Sequence, residues 1–274
     1  MGYGNWISQE QWHKCVGDTE SIKLPEKLKG KECWAGLNVT GMSFASFVMV
    51  FHNDDDTYDI LPVFWMTRNS TLYGTSLSES GFIIIQEGDI ISHDDILKHI
   101  LDLSLIYKIQ EIALDPWNCV SILQQLENAK IKTYNMHQGI STMSPPTKYF
   151  YALVRDERLH HGNNPILNWM IEGANINTDA AGNVRLNSEL SHGSLCGIKA
   201  AIMGLDRALN SIKLVATAYS QIKKPIDFHS KYFSILILTS KLWLSPVKKS
   251  FYNSTDIKIK IFNKNIEIHL SRRR

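Results

Sequence analysis

The sequence predicts an α/β protein: a mixed sheet in which an antiparallel meander joins parallel strands, flanked by helices. Three observations predict it. Residues 33–65 hold three apolar runs separated by short polar turns. Ile96, Ile100, Leu103 and Tyr107 then recur at helical spacing. Finally, EIALDPWNCV at 111–120 runs from a buried strand directly into a further helix, so strands and helices alternate and a crossover is required.

Taken in order, residues 1–32 read as a linker-like N-terminal arm. SIKLPEKLKGK, around Pro25 and Gly30, forms the connection, and Trp6 and Trp12 are placed to anchor on a neighbour. The first strand spans Cys33–Val39. The turn TGMSFAS leads to a second at Phe47–Phe51, and HNDDDT leads to a third at Tyr58–Trp65. HNDDDT lacks the Gly and distant Glu of a calcium loop and reads as a solvated turn. GFIIIQEGDIIS at 81–92 supplies a short extended piece, and Lys132–Asn135 a last short strand. Pro165–Met170 leads a helix with Trp169 inward, and Ile198, Ala201, Ile202, Leu205 and Leu209 form one apolar face of a closing helix. Trp65, Trp117 and Trp169 read as core or groove packing.

At 274 residues, with 44% hydrophobic and 20% charged residues, the chain has the composition of a globular protein able to bury one substantial core. No apolar run reaches the roughly 18 residues of a membrane span, and the start lacks the pattern of a signal peptide, so a cytoplasmic location without membrane contact is expected. Cys15, Cys33, Cys119 and Cys196 stand far apart with no CxxC pair, which argues against a zinc site or a disulfide framework. Charge is uneven: residues 221–274 carry 12 Lys and Arg against 3 Asp and Glu, or +9, which leaves 17 against 24, or −7, for residues 1–220.

Asp115 sits where its strand stops, at the end of a sheet where open α/β folds keep their chemistry. Followed by Pro116, it is equally a natural helix cap. His160 and His161 are adjacent, and on an extended chain they point to opposite faces, which disfavours a shared metal.

Four stretches together resemble the C-terminal nuclease domain of phage terminase large subunits: CWAGLNVTGMSFASFVMVF at 33–51, EIALDPWN at 111–118, LHHGNNPILNWMIEGANINTDAAGNVRL at 159–186 and GIKAAIMGLDRAL at 197–209. The resemblance implies an RNase H-like fold over 33–212 and two-metal cutting of duplex DNA with Mg²⁺ or Mn²⁺ during viral DNA packaging. It also implies double-stranded DNA, the terminase small subunit and the portal protein as partners, in the cytoplasm of a bacterial host carrying a phage or prophage. Two metals roughly 3.5–4 Å apart need several converging carboxylates, because these ions prefer hard oxygen ligands.

At the three positions where the family carries its acids, this chain has Asn38, Asp115 and Cys196. Asn38 keeps an oxygen but loses the charge, and the Cys196 thiol suits softer metals. Asp115 is the one expected metal ligand that remains. Asn38 also reads as a turn cap, and Cys196 as a small buried residue opening a helix. A further family acid after the first strand is replaced by Phe44, and lysines before the last acid by Ser188 and Ser194. The expectation is a degenerate, inactive nuclease module; the alternative is a non-catalytic module that binds DNA or a capsid partner.

No GxxxxGK[ST] phosphate loop occurs, so the chain reads as a C-terminal fragment without the family's ATPase domain. Residues 213–274 form a basic tail of a different character. In 221–274, 27 of 54 residues are Ile, Lys, Asn, Phe or Tyr, as when AT-rich DNA is read outside its frame, and a frameshifted remnant is the leading account. The rival is a short β-structure at IKIKIF, 257–262, followed by EIHL and ending in a basic Arg272–Arg274 placed to touch phosphate.

Overall fold

A computed structural model describes residues 6–188, 194–222, 256–261 and 264–269. The chain divides into two compact units, Met1–Tyr219 and Ser220–Arg274. In the first, α1 (Gln9–Lys14) and α2 (Leu24–Leu28) precede the meander β1 (Glu32–Thr40), β2 (Phe44–His52) and β3 (Tyr58–Thr67). Next come α3 (Ser76–Glu79), β4 (Ile83–Gln86), α4 (His93–Ile106), β5 (Lys108–Leu114), α5 (Pro116–Asn128) and β6 (Thr133–Asn135). The unit continues with α6 (Ile140–Arg155), β7 (Leu159–His160), α7 (Pro165–Glu172), the hairpin β8 (Ile176–Thr178) and β9 (Val184–Leu186), and α8 (Cys196–Ile222).

The sheet order is β4-β3-β2-β1-β5-β6, with β7 also pairing β3. β2 runs antiparallel to both β1 and β3, while β5 lies parallel to β1 and β6 parallel to β5. The expected mixed sheet is therefore present, with α4 crossing over between the meander and β5.

Strand alternation divides the core into two layers. Trp34, Phe44, Val48, Val50, Phe64 and Ala113 face a cluster that also holds Trp12 and the apolar faces of α6, α7 and α8. Ala35, Leu37, Phe47, Met49, Ile112 and Leu114 face the layer formed by α2, α4 and α5. Burial on both faces explains why these strands read as nearly continuous apolar runs.

Helix α8 lies directly against β1 because Gly36 has no side chain. A Cβ there would stand 2.0 Å from the Ala200 carbonyl oxygen. Gly204, one turn on, would place its own Cβ 3.0 Å from Gly36 N. Arg207 fastens the same helix further along, 3.5 Å from Glu111 of β5 and with its guanidinium 3.5 Å above the Tyr134 ring.

Residues 6–32 pack into this unit. Trp12 is fully buried, stacks on His161 with centroids 4.0 Å apart, and its indole Nε1 donates to Asn168 Oδ1 at 2.8 Å. Trp6 stacks on Phe150. The anchoring partner of both tryptophans is thus the chain's own α6 and α7 layer rather than a neighbour. α6 carries Pro145 and Pro146 inside it, residues that ordinarily break helices, and so it is hidden from a periodicity reading.

In the second unit, the described residues form an antiparallel hairpin of β10 (Asp256–Ile261) and β11 (Lys264–His269), with Asp256 opposite His269 and Ile261 opposite Lys264. The alternating IKIKI falls on β10. FSILILTSKLWL at 233–244 and Arg272–Arg274 lie outside the described residues.

Candidate nuclease site

The candidate site lies at the end of the sheet where β1 and β5 both stop. Leu37 pairs with Leu114, so Asn38, still within β1, and Asp115, the first residue past the parallel strand β5, each follow one residue later. Across the antiparallel ladder, Asn38 faces Ser46 of β2. Cys196 opens α8, and its thiol lies within hydrogen-bonding reach of Ser46 and Ser194. Ser46 thereby connects Asn38 with Cys196, since its hydroxyl also approaches the Asn38 carbonyl oxygen at 3.5 Å. The close β1–α8 contact at Gly36 holds that end of the helix over the strand.

The three side chains have different local roles. Asn38 is 4% exposed; its Oδ1 accepts from Thr40 Oγ1 at 3.5 Å, and its Nδ2 has no partner among the described residues. Cys196 is buried, and burial pushes its thiol pKa up, which keeps it protonated. Asp115 is the N-cap of α5, where its Oδ1 accepts from Trp117 N at 3.2 Å. Its charge is also felt by Cys119, whose thiol is pushed up to about 12 by burial first and by Asp115 second.

This donor set does not fit a pair of hard divalent cations. It offers one carboxylate already engaged as a cap, one amide and one protonated thiol, where two-metal chemistry needs several carboxylates on one point. Among the described residues, no group of three or more His, Cys, Asp or Glu converges on a point.

The other residues singled out from the sequence lie apart from this end. His161 is buried and stacked on Trp12, and its Nε2–H donates to the Trp12 carbonyl at 2.8 Å. Burial lowers its pKa to about 4, which keeps the ring neutral. His160 turns to Asp59 at 3.5 Å, at the start of β3 and hence at the opposite end of the sheet from Asn38. Phe44 is core, tilted against Phe64. Trp65 is buried and Trp169 partly buried, but Trp117 is 85% exposed, contrary to the packing expected of it. A polar residue pattern alone could not have told the three apart, because Trp117 occupies the first turn of α5 and points away from both core layers.

Two cations missed by motif reasoning lie near Cys196. Lys199 is one helical turn further along α8, and its Nζ donates to Ser188 Oγ at 2.8 Å. With Arg185 of β9 it lines a cleft of about 260 Å³, bounded also by Gln138, Asn177 and Asn187. Ser188 stands where the family resemblance placed a lysine, so Lys199 delivers an ammonium to that position from a different element. The signal was available: Lys199 is the one charged residue in the apolar run from Leu195 to Leu205.

A mixed sheet, an acid following β5 and a helix closing over β1 together make an RNase H-like fold. The family model for the terminase large subunit, endonuclease domain, matches residues 2–212, and the chain belongs to that family. It is similar to protein YmfN of Escherichia coli strain K12, at 23% identity over 76% of this chain and 48% of that protein. The terminase large subunit of Enterobacteria phage HK97 is 22% identical over 74% of this chain and 41% of its own length. The crystal structure of the HK97 bacteriophage large terminase superposes with a TM-score of 0.65 at 21% identity, over 74% of this chain and 43% of that one, and shares the fold. The chain spans somewhat under half the length of the curated relatives it matches.

Proposed function

We propose that this chain is a phage DNA-packaging nuclease module that engages duplex DNA without two-metal cutting. Family membership supports the packaging role, and the observation that carries the loss of cutting is the site itself: Asn38 and Cys196 at two acid positions, with Asp115 turned to Trp117 N. Mg²⁺ or Mn²⁺ is the metal the family resemblance implies, and the residues present hold it poorly.

Calorimetry with Mn²⁺ and a plasmid-cleavage assay test this reading. The wild type is expected to bind metal weakly and leave plasmid intact, while Asn38→Asp combined with Cys196→Asp gains Mn²⁺-dependent nicking. Tight binding of two metals together with cleavage by the wild type overturns it.

The second reading is a module that docks a capsid partner such as the portal protein or the small subunit. Exposed Trp117 and Val120 on the first turns of α5 favour it, since they offer apolar surface beside the sheet end. Salt-dependent DNA binding separates the two, because a purely protein-binding module shows none even at low salt.

A further inference from the structure

We propose that the cleft between β9 and the first turn of α8 binds a phosphate group of the kind carried by the backbone of duplex DNA, with Arg185 and Lys199 as its cationic contacts. This inference rests on the DNA-engaging reading above and names where that engagement occurs.

Four features carry it. Arg185 and Lys199 line one cleft, and among the described residues neither is paired with a carboxylate. The other polar groups lining it, Gln138, Asn177, Asn187 and Ser188, are neutral amides and a hydroxyl, and among the described residues no acid lines it. Asn187 Nδ2 donates to Asn177 Oδ1 at 2.7 Å, which ties β9 to β8 and holds the wall that carries Arg185.

Size argues for a phosphate rather than a whole nucleotide. A cleft of about 260 Å³ falls below the roughly 300–1,000 Å³ of pockets that enclose small organic ligands. Its lining mixes polar side chains with Met143 and Leu186, and an extended backbone can lay one phosphate into it while the bases remain outside.

Electrostatics supplies the drive. Two unneutralised cations in one cleft repel each other, and the Lys199 ammonium is disfavoured by burial and by Arg185. A bound oxyanion relieves both costs through charge-assisted hydrogen bonds. The body is net acidic, with −7 over residues 1–220, so within it a contact to DNA needs a local cation pair rather than a diffuse positive field. Lys199 lies one helical turn along α8 from Cys196, which puts the cleft beside the helix end that meets Ser46 and Asn38.

The test is fluorescence anisotropy of the full chain with a short labelled duplex of mixed sequence, repeated over a range of salt. Arg185→Gln combined with Lys199→Gln is expected to lower the slope of log affinity against log salt by about 0.9, the loss of one phosphate contact. Lys98→Gln, exposed on α4 in the opposite layer, leaves the slope unchanged. An unchanged slope in a double variant that still melts cooperatively overturns the proposal.

Side-chain NMR of the wild type titrated with inorganic phosphate gives an independent arm that needs no variant to fold. Movement of the Arg185 and Lys199 signals ahead of other basic residues upholds the cleft, and uniform small shifts overturn it. Absence of duplex binding by the wild type at low salt defeats the DNA reading alone, and the phosphate titration then decides the cleft.

Discussion

Replacing Asp115 by Ala and by Asn separates a helix cap from a metal ligand. As a cap, Asp115 supplies an acceptor to Trp117 N at 3.2 Å, and Asp115→Ala is expected to cost about 1 kcal/mol. Asparagine caps about as well, so Asp115→Asn loses only the attraction between the carboxylate and the helix end, about 0.3–1 kcal/mol. The lower part of that range is expected here. Cys119, with φ −136° and ψ 22°, interrupts the helix after its first turn and shortens the run of aligned peptide dipoles. The assay is urea denaturation with and without Mn²⁺. A site saturated a hundredfold above its Kd would add about 2.7 kcal/mol of stability. The expectation is no resolvable gain in the wild type or either variant. A gain near that size in the wild type, abolished by Asp115→Asn, would refute the capping account and restore a metal-binding one.

Further outcomes follow from the packing. Gly36→Ala places a methyl 2.0 Å from the Ala200 carbonyl, forces α8 back by about 1 Å or more, and is expected to cost about 1–3 kcal/mol by thermal or urea melting; a neutral result would mean that α8 does not rest on β1. Trp12→Ala is expected to cost about 3–5 kcal/mol, whereas Trp117→Ala, at an exposed site, shifts stability by less than about 0.5 kcal/mol, and equal losses would contradict the burial of one and exposure of the other. His161 has a folded pKa lowered to about 4 against an ordinary 6.5, so between these values the unfolded chain binds more protons. Its contribution is complete above pH 6.5 and is lost as pH falls toward 4, about 3 kcal/mol in all, and His161→Phe should flatten that part of the stability profile.

Much of the sheet was legible because its strands are buried on both faces and bounded by polar turns. β1, β3, β5 and α4 appear close to where periodicity placed them, and Asp115 ends its strand as read. Where reading failed, a local rule was overridden by tertiary contact. Pro145 and Pro146 lie within α6, and Trp12 reads as an external anchor but fills a gap against His161. The short strands β8 and β9 carry too few residues for a periodic signal, and they hold Arg185. Lys199 was invisible as a functional residue because its relation to Ser188 and Arg185 spans elements that no spacing rule connects.

The sequence by itself determined the family's motif order and which residue types occupy the three acid positions, since covalent identity sets what charge and donors Asn38, Asp115 and Cys196 can offer. Only the tertiary structure decided how those residues are used. Asp115 caps its own helix because the α5 amides lie nearest, Cys196 meets Ser46 because Gly36 lets α8 approach, and Lys199 shares a cleft with Arg185 because a hairpin folds over the helix start. Distances across a fold arise from chain packing rather than from neighbouring residues, and the chemistry of this site depends on those distances.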